Sequence, residues 1–124
     1  MKTEIICETV AQPAATYSHA VRAGNSVYVS GQGPQDPGTG QICGVTIEDQ
    51  TELTLRNLQE ILNAAGASLA DVVKVNAHLS DIRDFDAFDG IYKRFFEEPF
   101  PARTTVSSRL KGILVEIDAV AYIG

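Results

Sequence analysis

A chain of 124 residues, 44% hydrophobic and 21% charged, is sized for one compact domain over residues 1–124, and its composition is that of a globular rather than a disordered chain. Its net charge of −6 at pH 7, with ten basic residues scattered along the chain, argues against nucleic acid as a partner, because binding that line of phosphates takes clustered cations. No apolar run approaches the roughly 18 residues of a membrane span, and Met1-Lys2-Thr3-Glu4 lacks the basic-then-apolar layout of a secretion signal. The expectation is a soluble, cytoplasmic protein.

In chain order, Thr3 to Glu8, with Ile5, Ile6 and Cys7, predicts an edge strand. Ala20 to Ala23 and Val27 to Val29 flank Gly24-Asn25, a hairpin signal. After Ser30-Gly31 the breakers Gly33, Pro34, Asp36, Pro37, Gly38 and Gly40 predict a loop and tight turn. Gln41-Ile42-Cys43 then reads as a short returning strand. Thr46 suits a helix N-cap with Glu48 and Asp49 in the first turn. Leu55, Leu58, Leu62 and Ala65 recur at helical spacing, and Gly66 suits a left-handed C-terminal cap.

Ser68 to Asp71 predicts a capped turn. Val72 to Leu79 alternates, placing Val73, Val75, Ala77 and Leu79 on one face and Lys74, Asn76 and His78 on the other. Asp84 opens a second helix whose aromatic stripe, Phe85, Phe88, Tyr92, Phe95 and Phe96, runs toward the stops Pro99 and Pro101. Ala102 to Ser107 and Leu114 to Tyr122 are the last strands, joined around Lys111-Gly112. This order predicts an α+β (α/β mixed sheet) class: one mixed sheet of about six strands with both helices on one face. The bare face then calls for a partner, and self-association is the expectation.

Several side chains could carry chemistry. Arg103 lies in an apolar, β-prone stretch after Pro99 and Pro101, a costly placement unless it is paired. It either forms an ion pair with a core carboxylate such as Glu116 or Asp118, or holds a substrate carboxylate with its planar fork. Alternation puts Glu116 and Asp118 on one strand face, either as solvated carboxylates or as a proton carrier in a closed site. His19 and His78 have no metal-spaced partners and read as packed or surface histidines. Cys7 and Cys43 read as reduced, partly buried thiols.

Tyr17, Val29-Ser30-Gly31-Gln32, Pro37 with Thr39-Gly40, Asn57-Leu58 through Gly66, Asp71-Val72-Val73-Lys74, Tyr92 to Phe96, Pro101-Ala102-Arg103 and Val115-Glu116-Ile117 follow one another along nearly the whole chain. With this ordered set the chain resembles the RidA (YjgF) family. The resemblance implies a chorismate-mutase-like homotrimer with three clefts between subunits, acting on a small carboxylate substrate without cofactor or metal. It implies that Arg103 grips the carboxylate and that Tyr17 lines the cleft from the adjacent subunit. Ser30 and Gly31 would supply hydroxyl and backbone contacts. Glu116 would position the attacking water, helped by the backbone carbonyl near Thr105, which stands where cysteine is common. The implied reaction is hydrolysis of 2-imino acids, formed from enamines such as 2-aminoacrylate or 2-aminocrotonate, to 2-keto acids and ammonia.

Two positions depart from the family pattern. Asp89 stands where many members carry asparagine. Facing the cleft, its charge would disfavour a carboxylate or select a substrate with a positive nitrogen; facing solvent, it would do nothing. Arg109, in the short Ser107 to Gly112 connection, would favour a dicarboxylic substrate if it reached the cleft. Three alternatives stay open: a pathway-specific deaminase of a larger enamine such as 2-aminomuconate, a keto-acid-binding trimer without turnover, and, least favoured by the acidic charge, RNA cleavage.

Overall fold

Hydrophobic alternation in the strands and a three-to-four-residue period in the helices produce a two-layer arrangement. The computed structural model describes residues 1–124. Its elements are β1 (Thr3–Ile5), β2 (Ala20–Ala23), β3 (Ser26–Gln32), α1 (Ile47–Ala64), β4 (Val72–Leu79), α2 (Phe85–Tyr92), β5 (Ala102–Ser107) and β6 (Val115–Tyr122). The six strands form one sheet in the order β1-β2-β3-β6-β4-β5. Only β4 and β5 run parallel, joined by the crossover that contains α2, as parallel neighbours require. β5 is an edge strand, and β4 separates it from β6.

Helix α1 forms where capping and periodicity agree. Thr46 Oγ1 accepts from the Asp49 amide at 3.1 Å. At the other end Gly66 takes φ +81°, while the Ala67 amide donates to Leu62 O at 2.9 Å and the Gly66 amide to Asn63 O at 3.0 Å. That double bond closes the last turn and needs a residue free of the left-handed penalty. Leu55, Leu58, Ile61 and Leu62 are fully buried against the sheet, where they meet Val27, Val75, Ala77, Val115 and Ile117 in one apolar cluster.

Local details differ from the expectations. The register between β4 and β6 shifts between Val72 and Lys74, so Val72 turns into the core and Val73 out to solvent. Strict alternation holds only from Lys74 onward. The Gln41 to Cys43 segment is reduced to a single bridge between Gln35 and Ile42. There Asp36 is the reason: its carboxylate accepts from the Gly38 and Thr39 amides, both at 3.0 Å, closing a turn in place of a ladder. Helix α2 ends at Tyr92, well before Pro99, because the Arg94 and Phe95 amides bond three residues back, to Ile91 and Tyr92. The first strand stops at Ile5, and Cys7 is buried beyond it while Cys43 is exposed.

The face opposite the helices carries Lys74, Asn76, His78, Glu116 and Asp118 together with exposed Tyr28, Val106 and Tyr122. No helix is long and apolar enough to cross a membrane.

Candidate functional site

The candidate residues fall into two clusters. The first is built on an irregularity of β3. Val29 pairs with Ala119 but Gln32 with Ile117, so three steps on β3 answer two on β6, a bulge that carries Ser30 and Gly31. Bulges redirect side chains and concentrate beside functional sites. Ser30 is fixed by its hydroxyl, which donates to Ser18 O at 2.7 Å, and by its amide, which donates to His19 O at 3.0 Å. At Gly31 an added Cβ would lie 2.8 Å from Glu116 Oε2. The glutamate therefore folds back over backbone that only glycine leaves open. Together with Tyr17, Gly33, Gln35 and Asn57, these two residues line a recess of about 270 Å³.

His19 supports this recess as structure. Its Nδ1 accepts from the Cys7 amide at 3.2 Å, so the proton sits on Nε2, which donates to Ala11 O at 2.9 Å. Both ring nitrogens of the neutral form are thus satisfied inside the core, as the packed reading expected. Asn57 does comparable work from α1. Its buried amide donates to Gly33 O at 3.1 Å and Gln35 O at 3.0 Å, tying the recess wall to the helix. Asn57→Ala orphans both carbonyls and is expected to cost about 1–3 kcal/mol in urea unfolding; an unchanged midpoint would remove the wall-tying role.

The second cluster centres on Arg103. In register β5 places Arg103 beside Val75 and Thr105 beside Ala77, so both point to the helix-covered side and both are half-buried. Helix α2 meets them with Phe85, Phe88, Asp89 and Tyr92, which share one face at helical spacing. The Arg103 guanidinium carbon lies 4.4 Å from the Tyr92 ring centre, 5.2 Å from Phe88 and 5.6 Å from Phe85, a three-ring cage for a cation. Arg103 Nη1 donates to Asp89 Oδ1 at 2.8 Å, with side-chain exposures of 17% for the arginine and 45% for the aspartate.

The ion-pair partner is therefore Asp89, not Glu116 or Asp118. Both of those lie on the opposite sheet face, where Asp118 instead accepts from the Asn76 amide at 3.0 Å. Asp89, Tyr92, Lys93, Phe100, Pro101 and Arg103 line a recess of about 410 Å³. Burial pushes the Tyr92 phenol above its ordinary range, against the opposing charge of Arg103. The folded state thus retains a proton that the unfolded chain releases. Stability from this group is complete below a pH of about 10 and declines as pH rises past it. A spectrophotometric titration that shows every tyrosine ionising at the free value would contradict this.

Within one chain Arg103 and Asp89 lie together, with Thr105 on the same strand face as Arg103, and Tyr17, Gly31 and Glu116 line one recess with Ser30 on the same bulge. The two recesses share no residue. Arg109 joins neither; it borders a shallow depression with Ser80, Ser107 and Ser108. His78 is half-buried, its Nδ1 2.7 Å from Ser108 Oγ. No three His, Cys, Asp or Glu side chains converge as a metal would need. In the sequence Asn57 shows no sign of its role as a loop anchor, and Phe85, Phe88 and Tyr92 show only as an aromatic stripe. Asp89, set within that stripe and singled out in the sequence for its charge, is the residue that ties the stripe to Arg103.

Known proteins share this fold and much of this sequence. The family model described as Endoribonuclease L-PSP matches residues 8–123. A RutC family protein of Pyrococcus horikoshii is 46% identical, over 98% of each chain. A 2-iminobutanoate/2-iminopropanoate deaminase of Homo sapiens is 41% identical, over 87% of this chain and 80% of its own. The crystal structure of RidA from an Antarctic Psychrobacter superposes with a TM-score of 0.93 at 38% identity, over 98% of this chain and 99% of that one. A match over nearly the full length, in sequence and in fold, makes this chain a member of the RidA (YjgF) family, the one that the Endoribonuclease L-PSP model describes.

Proposed function

We propose that this chain is a cofactor-free enamine/imine deaminase, hydrolysing 2-imino acids to 2-keto acids and ammonia at sites between the subunits of a homotrimer. The observation that carries the reading is the Arg103 guanidinium, caged by three rings and engaged by Asp89 through a single nitrogen. Donor capacity remains for a substrate carboxylate, on a cation whose position is already fixed. The relatives named as 2-iminobutanoate/2-iminopropanoate deaminases, about 40% identical, support the same chemistry.

The reaction balances without a metal or redox partner. A protonated imine adds water at carbon, the carbinolamine loses ammonia, and R–C(=NH₂⁺)–COO⁻ plus water becomes R–CO–COO⁻ plus NH₄⁺. The iminium carbon is already electrophilic, so positioning and proton movement suffice. In this reading Arg103 holds the carboxylate and Glu116, at the β3 bulge, accepts a proton from the attacking water. The Thr105 carbonyl, Tyr17, Ser30 and Gly31 complete the walls. Arg103 and Glu116 sit on opposite sheet faces of one protomer, so a neighbouring subunit docked on the bare face would supply the missing half. Exposed Tyr28, Val106 and Tyr122 on that face favour such docking.

The test is to generate 2-iminobutyrate and 2-iminopropionate with an amino-acid oxidase and trap free imine with semicarbazide. Catalytic amounts of the protein are expected to suppress semicarbazone formation from both. Binding of 2-ketobutyrate without suppression would replace the enzyme by a keto-acid-binding protein. A panel that includes larger enamines would decide in favour of a specialised deaminase if only those were consumed.

A further inference from the structure

Asp89 is an unusual neighbour for a carboxylate anchor, since its charge opposes the very group that Arg103 would hold. Its Oδ1 takes one guanidinium nitrogen at 2.8 Å, and the side chain stays 45% exposed at the recess it shares with Arg103, Lys93, Phe100 and Pro101. The aspartate is therefore neither buried as a core ion pair nor turned to bulk solvent. It presents a carboxylate to whatever Arg103 binds. An amide in its place would hold the same shape without the charge.

We propose that Asp89 makes the Arg103 recess selective for zwitterions: it receives the cationic α-nitrogen of a substrate whose carboxylate Arg103 holds. This rests on the deaminase reading and names its substrate class by charge, an iminium carboxylate in preference to a plain 2-oxo acid. Opposite charges a few ångströms apart in a partly desolvated site attract strongly, and like charges repel by a similar amount. The arrangement has a directional consequence. The substrate brings a positive nitrogen that Asp89 stabilises; hydrolysis releases that nitrogen as ammonium and leaves a keto acid with negative charge only. Asp89 then opposes the product's carboxylate. The residue favours entry of the imine in its protonated, reactive form and expels the product.

The test compares two stable probes of equal length at pH 7, L-2-aminobutyrate, which keeps the cationic nitrogen, and 2-ketobutyrate, which lacks it. Affinities are measured by calorimetry for the wild-type protein and for Asp89→Asn, which preserves shape and an oxygen for Arg103. The wild-type protein is expected to prefer the amino acid. Asp89→Asn is expected to bind it about tenfold more weakly and the keto acid about tenfold more tightly, the size of one charge-assisted hydrogen bond. Product inhibition by 2-ketobutyrate should tighten in parallel. If both probes weaken together with a lowered melting temperature, Asp89 is a structural partner of Arg103 and the proposal falls. Unchanged preference in a protein that still consumes imine overturns the selectivity alone. If the wild-type protein neither binds either probe nor consumes imine, the deaminase reading falls with it.

Discussion

Arg103→Ala is expected to remove nearly all imine hydrolysis while leaving the protein folded. Two charge-assisted hydrogen bonds to a carboxylate, at about 1.5–3 kcal/mol each, correspond to a loss of about 10²–10⁴ in kcat/KM. The fold should lose far less. Asp89 is half-exposed and recovers water when its partner goes, while the three rings lose a cation; the combined cost is about 1–2 kcal/mol. Arg103→Lys separates charge from geometry. An ammonium can satisfy Asp89 and sit over Tyr92, but it has no planar fork for a two-point grip. Most of the loss in kcat/KM should therefore persist in the lysine variant, with melting close to wild type. Turnover of either variant at the wild-type rate would end the anchoring role.

Much of this fold was readable from the chain because its determinants are local. Thr46 and Gly66 bound α1 through contacts with residues three to five positions away, and the strands announce themselves by alternation. What escaped depends on register. Whether Arg103 and Glu116 share a sheet face is decided by how β5 and β6 each pair with β4, placing Arg103 beside Val75 but Glu116 beside His78. Nothing in either strand states that offset, so the sequence offers Glu116 and Asp118 as partners for Arg103, while the actual partner, Asp89, lies on a different element. The bulges at Val72 to Lys74 and at Ser30-Gly31 are likewise set by cross-strand fit. Family resemblance supplied Ser30, Gly31 and Glu116 as a group; their mutual geometry, with the carboxylate over the Gly31 backbone, came only with the structure.

The buried polar residues of α1 show the same limit. Thr51, Thr54 and Asn57 are buried beside the leucines, so the inward face is wider than its apolar stripe. Asn57 is there for the carbonyls of Gly33 and Gln35, groups that a loop of breakers leaves without a ladder. A helix pattern read by hydrophobicity alone assigns such an asparagine to solvent. Its purpose depends on a loop more than twenty residues earlier.

Glu116→Gln is the second change expected to be severe, and it can also locate the halves of the site. Removing a general base costs about 10²–10⁴-fold, and glutamine keeps the size and most contacts of the side chain, so folding should be undisturbed. Gly31→Ala probes the same group from below: its Cβ would meet Glu116 Oε2 at 2.8 Å, a flexible end that can swing away. A smaller loss, about tenfold, with normal melting is the outcome expected of a displaced carboxylate. Mixing then decides geometry. If each site takes Arg103 from one subunit and Glu116 from its neighbour, refolding Arg103→Ala with Glu116→Gln chains in equal amounts rebuilds intact sites in a cyclic trimer. Each pairing of neighbours is intact with probability about one in four, so about a quarter of wild-type activity should return from two inactive parents. Recovery of that size requires that the residues come from different chains, since no mixed chain carries both. Absence of recovery, with mixed oligomers confirmed by mass, would place both residues in one protomer's site and contradict the inter-subunit arrangement.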